Sequence, residues 1–326
     1  MRGDYRTWIA DVACSAFIAF LLLLTAAFPQ RVPGWRHLAV EFAIAFTLYT
    51  AVTWRLRRSR QSFGAVALRT AVVIALFAFL FGAIANLQHV LVRGWMDDAL
   101  LAFERAATGA DASVWLQRFA HPALTEIMMF AYVIYVPMLP GVALLCYRAA
   151  GARAAYDYLL HLSLVNIACF LGFMLFPVAS PMYHQPQLYG APLNGWVFTW
   201  CGEWIRHHAH YAGGSLPSPH CAAASVMLAM LYRYDRKAFR AALPIVLILY
   251  LSTVYGRYHY ASDAVAGILT AIATLTLAPQ LWKGANDASS SYGRHWVHWQ
   301  HADRAPAKPR GRGDLYSEGP AESSRP

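Results

Sequence analysis

His259 and Asp263 lie four residues apart in YGRYHYASDAVAG (Tyr255–Gly267), and His220 lies in SLPSPHCAAASVML (Ser215–Leu228). Residues i and i+4 share one face of a helix, so a helix begun by His259 would set its imidazole beside the Asp263 carboxylate. A carboxylate at one ring nitrogen keeps that nitrogen protonated and leaves the other free to attack or to take a proton. The second stretch reads as a helix start. Ser218 is a favoured N-cap, and Pro219 suits the first helical position, where its missing N–H costs nothing. His220 then falls in the first turn, where unpaired N–H groups and the positive dipole end favour an anion such as phosphate. Together these residues are sufficient for two-step phosphoryl transfer: His259 would attack phosphorus, and His220 would protonate the leaving group. A lone histidine at a membrane edge is more often a hydrogen-bonded interfacial residue. Two on one face, one with a carboxylate, favour the chemical reading.

The elements that must position them are hydrophobic. Of 326 residues, 58% are hydrophobic and 13% charged, about half the charge of an ordinary soluble domain. Apolar runs long enough to span a bilayer recur, at roughly 8–28, 38–54, 70–92, 123–146, 157–177, 219–234, 241–256 and 260–281. The expected fold is an all-α integral membrane protein of about eight transmembrane helices. The first run lacks a small-residue cleavage site and reads as a retained anchor. The last stretch, ending GRGDLYSEGPAESSRP, is polar and rich in Gly, Pro, Ser and Arg, a composition expected to be disordered.

The net charge of +10 is explained by the positive-inside rule rather than by a nucleic-acid partner. With eight spans, twenty of the 27 Lys and Arg fall on the face that holds both termini, and only Arg31, Arg36, Arg93, Arg105, Arg118, Arg206 and Arg257 on the other. Both termini are therefore expected in the cytoplasm of a bacterial inner or plasma membrane. The loops 178–218 and 257–259, with every candidate catalytic residue, are expected outside.

Smaller signals read mostly as packing. Cys14, Cys146 and Cys169 fall in or at the ends of spans, whereas Cys201 and Cys221 lie toward the outer face, where a bridge is permitted. His207, His208 and His210 in WIRHHAHYAGG read as an interfacial, aromatic-rich lid that bends at Gly213-Gly214, in preference to a metal site. Glu126, Tyr132 and Tyr135, and Asn86, Gln88 and His89, read as helix-to-helix hydrogen-bonding groups. The sixth and seventh spans are short, which would recess the catalytic helix ends to the depth of a lipid headgroup.

SLPSPH (215–220) and STVYGRYHYASDAVAG (252–267) resemble the second and third signature motifs of the type 2 phosphatidic acid phosphatase superfamily. FPVASPMY (176–183) followed by LYG (188–190) resembles a stretch of its inositol phosphorylceramide synthase branch. The specific likeness covers about 172–268, and a looser one about 70–282. It implies a six-helix catalytic core over 69–283, preceded by a two-helix addition over 1–68 and followed by a tail over 284–326. It also implies His259 as nucleophile, Asp263 as its orienting partner, His220 as general acid and Ser218 as a phosphate contact, with no metal or other cofactor. The implied partners are a phospholipid donor and a lipid alcohol acceptor.

Three departures qualify the likeness. Thr253 stands where the phosphatases carry an arginine, which the synthase branch also lacks, and this favours transfer. Pro219 removes a possible phosphate donor. The phosphatases' Lys…Arg-Pro motif is absent. Arg257 is the first candidate to offset the phosphate charge, with Arg206 and His184 behind it, and Tyr183 is a further candidate phosphate contact. The alternative on the same site is a lipid phosphatase acting on phosphatidic acid or a polyprenyl diphosphate. A transporter is disfavoured because no inverted repeat is visible. Donor headgroup, acceptor and oligomeric state are left open by the sequence.

Overall fold

In hydrocarbon every backbone N–H and C=O must be satisfied internally, so apolar runs of this length fold as helices. The structure is a computed structural model that describes residues 4–190 and 192–287, with side chains to residue 278. Its helices are α1 (Tyr5–Ala27), α2 (Trp35–Arg58), α3 (Phe63–Ile84), α4 (Gln88–Leu91), α5 (Asp97–Thr108), α6 (Ala112–Leu116), α7 (Pro122–Ala150), α8 (Ala152–Leu175), α9 (Pro181–His184), α10 (Val197–Ala209), α11 (Pro219–Tyr234), α12 (Arg236–Tyr255) and α13 (Ala261–Asp287). No strand occurs among the described residues. Seven helices, α1, α2, α3, α7, α8, α12 and α13, are long and apolar enough to cross a membrane. The protein is an all-α integral membrane protein. Residues 288–326, which hold nearly all of the tail expected to be disordered, lie outside the described residues.

The eighth expected span, α11, has 16 residues, roughly 24 Å at 1.5 Å per residue, short of the ~30 Å core. It packs against α7, α8 and α12, and Ala222, Ala223 and Ala224 are fully buried. Surrounded by protein, α11 has no need to reach both interfaces.

Two expected boundaries are corrected. The third span ends at Ile84 rather than 92. Gln88, just beyond it, is buried and donates to the Ala212 carbonyl at 2.9 Å, so Asn86, Gln88 and His89 lie after the span, Asn86 in a turn and the other two in the short α4. The seventh span begins at Arg236, not 241, and has 20 residues. Asp235 caps it, accepting from the Lys237 and Ala238 N–H groups at 3.1 and 3.0 Å. Hydropathy hides this first turn because Arg236, Lys237 and Arg240 occupy it. At roughly 30 Å, α12 spans the core, and of the two only α11 is short.

The ends of α3, α8 and α12 and the starts of α7, α11 and α13 share one end of the bundle, with α4–α6, α9 and α10 gathered there. At the other end, buried carboxylates join helices. Asp11 on α1 meets Arg69 of α3 at 2.6 Å and Arg57 of α2 at 3.3 Å. Asp157 on α8 meets Arg6 and Arg233 at 3.1 Å each, and accepts from the Tyr234 hydroxyl at 2.7 Å. Buried charges persist when paired in this way. Residues up to Gln280 form one compact unit, α1 and α2 included.

Candidate active site

The connection from α12 to α13 is a tight turn. The Tyr258 and His259 N–H groups both donate to the Thr253 carbonyl at 3.0 Å, and Arg257 sits at φ +67°. A non-glycine residue in that region is strained and held by its surroundings; here the Arg257 carbonyl accepts from the Met182 N–H at 3.1 Å. α13 begins only at Ala261. His259 therefore precedes the helix, and the expected helical i, i+4 pairing is corrected: the turn, not a shared helix face, brings the two side chains together.

Asp263 lies in the first turn of α13 and reaches back to accept from the Tyr260 N–H at 2.9 Å, as a capping box does. The same oxygen accepts from Ser215 Oγ at 2.5 Å and lies 3.5 Å from His259 Nδ1. Nδ1 is nearer to the Ser215 carbonyl, at 3.0 Å, and to Ser215 Oγ, at 3.2 Å. A ring nitrogen that meets a carbonyl oxygen must donate, so in the neutral ring Nδ1 carries the proton and Nε2 the lone pair. Nε2 faces His220 Nδ1 at 3.4 Å. His259 is 2% exposed, and Asp263 and Ser218 are fully buried.

α11 starts as its sequence requires. Ser218 is the N-cap and accepts from the Cys221 N–H at 3.4 Å, with Pro219 next. The Ser218 N–H donates to the Asp263 carbonyl at 3.0 Å, which ties the two motifs together. Gly267 permits this approach: a Cβ there would lie 2.4 Å from the Ser218 carbonyl oxygen.

The His220 ring is flanked by Tyr132 and Tyr135 of α7, each 5.0 Å away by ring centroid. Tyr132 stacks on Tyr258 at 4.3 Å and 12°, and its hydroxyl meets His210 Nε2 at 2.8 Å. Burial, with the nearby His259 and Arg206 as lesser causes, pushes the His210 imidazole down to about 4, so it is neutral near pH 7. The three histidines of WIRHHAHYAGG thus separate. His210 turns inward, His207 bonds Arg206 at 3.0 Å, and His208 stacks on Trp204 at 4.5 Å. Gly213 and Gly214, expected as a hinge, are packed instead. Both have positive φ, and a Cβ on Gly213 would overlap the Gln88 side chain.

The Arg257 guanidinium lies over the Tyr189 ring at 4.1 Å, and burial lowers its pKa. Arg206 bonds Glu203 through two nitrogens, at 2.7 and 2.5 Å, and is an electrostatic neighbour of His210, Tyr258 and Tyr183. His184 pairs with Asp98 at 3.0 Å. Cys201 and Cys221 are free thiols. Glu126 accepts from the Trp196, Phe198 and Thr199 N–H groups at 2.7, 2.5 and 3.1 Å, so it holds the start of α10.

Sequence reasoning missed Ser215 as the partner of both His259 and Asp263, although it stands inside the SLPSPH motif. It also missed Asp97, fully buried, which accepts from the Ala179 and Ser180 N–H groups at 2.8 and 3.2 Å and from the Tyr260 hydroxyl at 2.9 Å. Asp97 thereby links FPVASPMY to the residue after His259. Its only signal was a carboxylate at the start of a short amphipathic helix.

Fold and site together define an integral membrane protein with paired histidines at one end of a helical bundle. The chain matches the PAP2 superfamily over residues 98–277, from the first turn of α5 into the second half of α13, and it belongs to that superfamily of phosphatases and phosphotransferases. Neither the curated proteins nor the solved structures compared with it gave a match.

Proposed function

We propose that the protein is a membrane phosphotransferase that moves a phospho-headgroup, phosphoinositol on the motif likeness, from a phospholipid to the hydroxyl of a ceramide-like lipid. The observation that carries this reading is the orientation of His259: its Nδ1 proton is committed to the Ser215 carbonyl at 3.0 Å, and its Nε2 lone pair faces His220. In the first step Nε2 attacks phosphorus and the P–O bond to the glycerol lipid breaks. His220 gives its proton to the departing oxygen. In the second step the acceptor hydroxyl attacks the phospho-histidine, its proton passes to His220, and Nε2 is released. The 16 residues of α11, too few for the ~30 Å core, support a site recessed to headgroup depth. The arginine distribution supports an outward-facing site with cytoplasmic termini. Thr253, where the phosphatases of the superfamily carry an arginine, supports transfer over hydrolysis.

The test uses the purified protein in vesicles with labelled phosphatidylinositol, with and without ceramide, for wild type and His259→Ala. A new phospholipid that requires ceramide and is lost in the variant is expected. Release of a water-soluble phosphate product, indifferent to ceramide and lost in the variant, would replace the transferase with a phosphatase. Equal behaviour of wild type and variant across a donor panel would remove the catalytic assignment.

A further inference from the structure

α10 presents a face that nothing among the described residues covers. Trp196, Val197, Trp200 and Trp204 are 62, 66, 68 and 54% exposed, and the three tryptophans recur at four-residue intervals along one stripe. An apolar patch of this kind in contact with water marks an interaction surface. The opposite face of α10 is fixed to α7: Phe198 packs edge-on against Phe130 at 5.0 Å, Gly202 lies against Met129, and Glu126 holds the first turn. At the far end His210 bonds Tyr132. A helix tied at both ends and along its inner face is an anchor, not a lid.

We propose that the Trp196–Trp200–Trp204 face of α10 lies in the lipid headgroup region of the bilayer and holds the site end of the bundle at that depth. Two observations select lipid as the occupant. The stripe lies on a helix packed against the membrane-spanning α7, whose Ile127, next to the Glu126 that holds the first turn of α10, is 51% exposed. Its composition is also that of an interface. Indole rings bury an apolar body while their N–H groups reach water or headgroups, and the stripe runs out into exposed His207 and His208. Helices that lie in the membrane plane carry this division of faces. The inference goes beyond the proposed reaction and holds for either acceptor.

The test uses the full chain in phosphatidylcholine vesicles carrying lipids brominated either just below the headgroups or near the chain ends, with aqueous iodide as the opposing quencher. Wild type is compared with a variant in which Trp196, Trp200 and Trp204, three of eleven tryptophans, are replaced by phenylalanine. Where the triple variant does not fold, Trp200→Phe alone supplies the comparison. The difference in fluorescence is expected to be quenched more by shallow than by deep bromines and to be shielded from iodide. A component quenched by iodide and blind to bromine would place the face in water. A component blind to both would place it against protein, such as a second copy. Either result overturns the proposal.

Discussion

The imidazole of His259 is held more closely by the Ser215 carbonyl than by Asp263, with Nδ1 3.0 Å from the first and 3.5 Å from the second. Ser215 also donates its hydroxyl to the Asp263 carboxylate at 2.5 Å. Ser215→Ala removes the hydroxyl but keeps the carbonyl. A hydrogen bond to a charged group contributes about 1.5–3 kcal/mol, so turnover should fall about 10- to 100-fold with little change in KM. Ser215→Thr should recover part of the loss. Unchanged turnover in Ser215→Ala would mean that Asp263 acts without this link.

The two histidine roles separate by leaving group. General acid catalysis typically contributes about 10²–10⁴-fold, and a leaving group that departs as a stable anion needs no proton. His220→Gln should lose activity on a lipid phosphodiester and recover much of it on a lipid-anchored diester whose leaving group is a phenolate. His259→Gln should be inactive on both. The reverse pattern would exchange the assignments.

Gly267→Ala places a methyl group against the Ser218 carbonyl oxygen, where backbone has to move. Overpacking of this kind costs about 1–3 kcal/mol, visible as a lower melting temperature in detergent. Gly141, whose added Cβ meets nothing within 4 Å, is the control, and Gly141→Ala should leave the melting temperature close to wild type.

Glu126 stabilises the first turn of α10 through three N–H groups. Glu126→Ala should weaken that turn by about 1–2 kcal/mol, as loss of a helix cap does. Faster proteolysis within 192–212 is the readout. An unaltered cleavage pattern would show that contacts with α7 alone hold α10.

His210 gives the fold an acid sensitivity. An unfolded histidine titrates near 6.5, whereas His210 in the fold titrates at about 4. Between those values the unfolded chain binds the extra proton, so this contribution is complete above about pH 6.5 and is lost as pH falls toward 4. His210→Gln should melt with a shallower dependence on pH across that window. An identical slope in the variant would contradict the buried, neutral His210.

Long apolar runs announced the helices because their signal is summed over many residues. Ser218-Pro219 announced the start of α11 because capping is local chemistry. The first turn of α12 did not show, since its charges look like loop when only hydropathy is weighed. The pairing of His259 with Asp263 was read from a helix that begins only at Ala261; the true cause is a strained turn at Arg257 that no spacing rule contains. His210, Tyr132 and Tyr258 converge from three separate segments, and that convergence belongs to tertiary packing alone.

The 3.4 Å between His259 Nε2 and His220 Nδ1 has a consequence for selectivity. In-line displacement needs phosphorus about 3 Å from the nucleophile and the leaving oxygen about 2.8 Å from the acid, so the two nitrogens must stand roughly 6–7 Å apart in the reacting complex. With Nδ1 as the acid, the resting pair is closed to substrate, and the rings have to part while Tyr132 and Tyr135 flank one of them. A small phosphate ester brings little interaction with which to part them. A lipid has its whole body to draw on, so on the proposed reaction the closed pair would act as a threshold that favours anchored substrates over soluble ones.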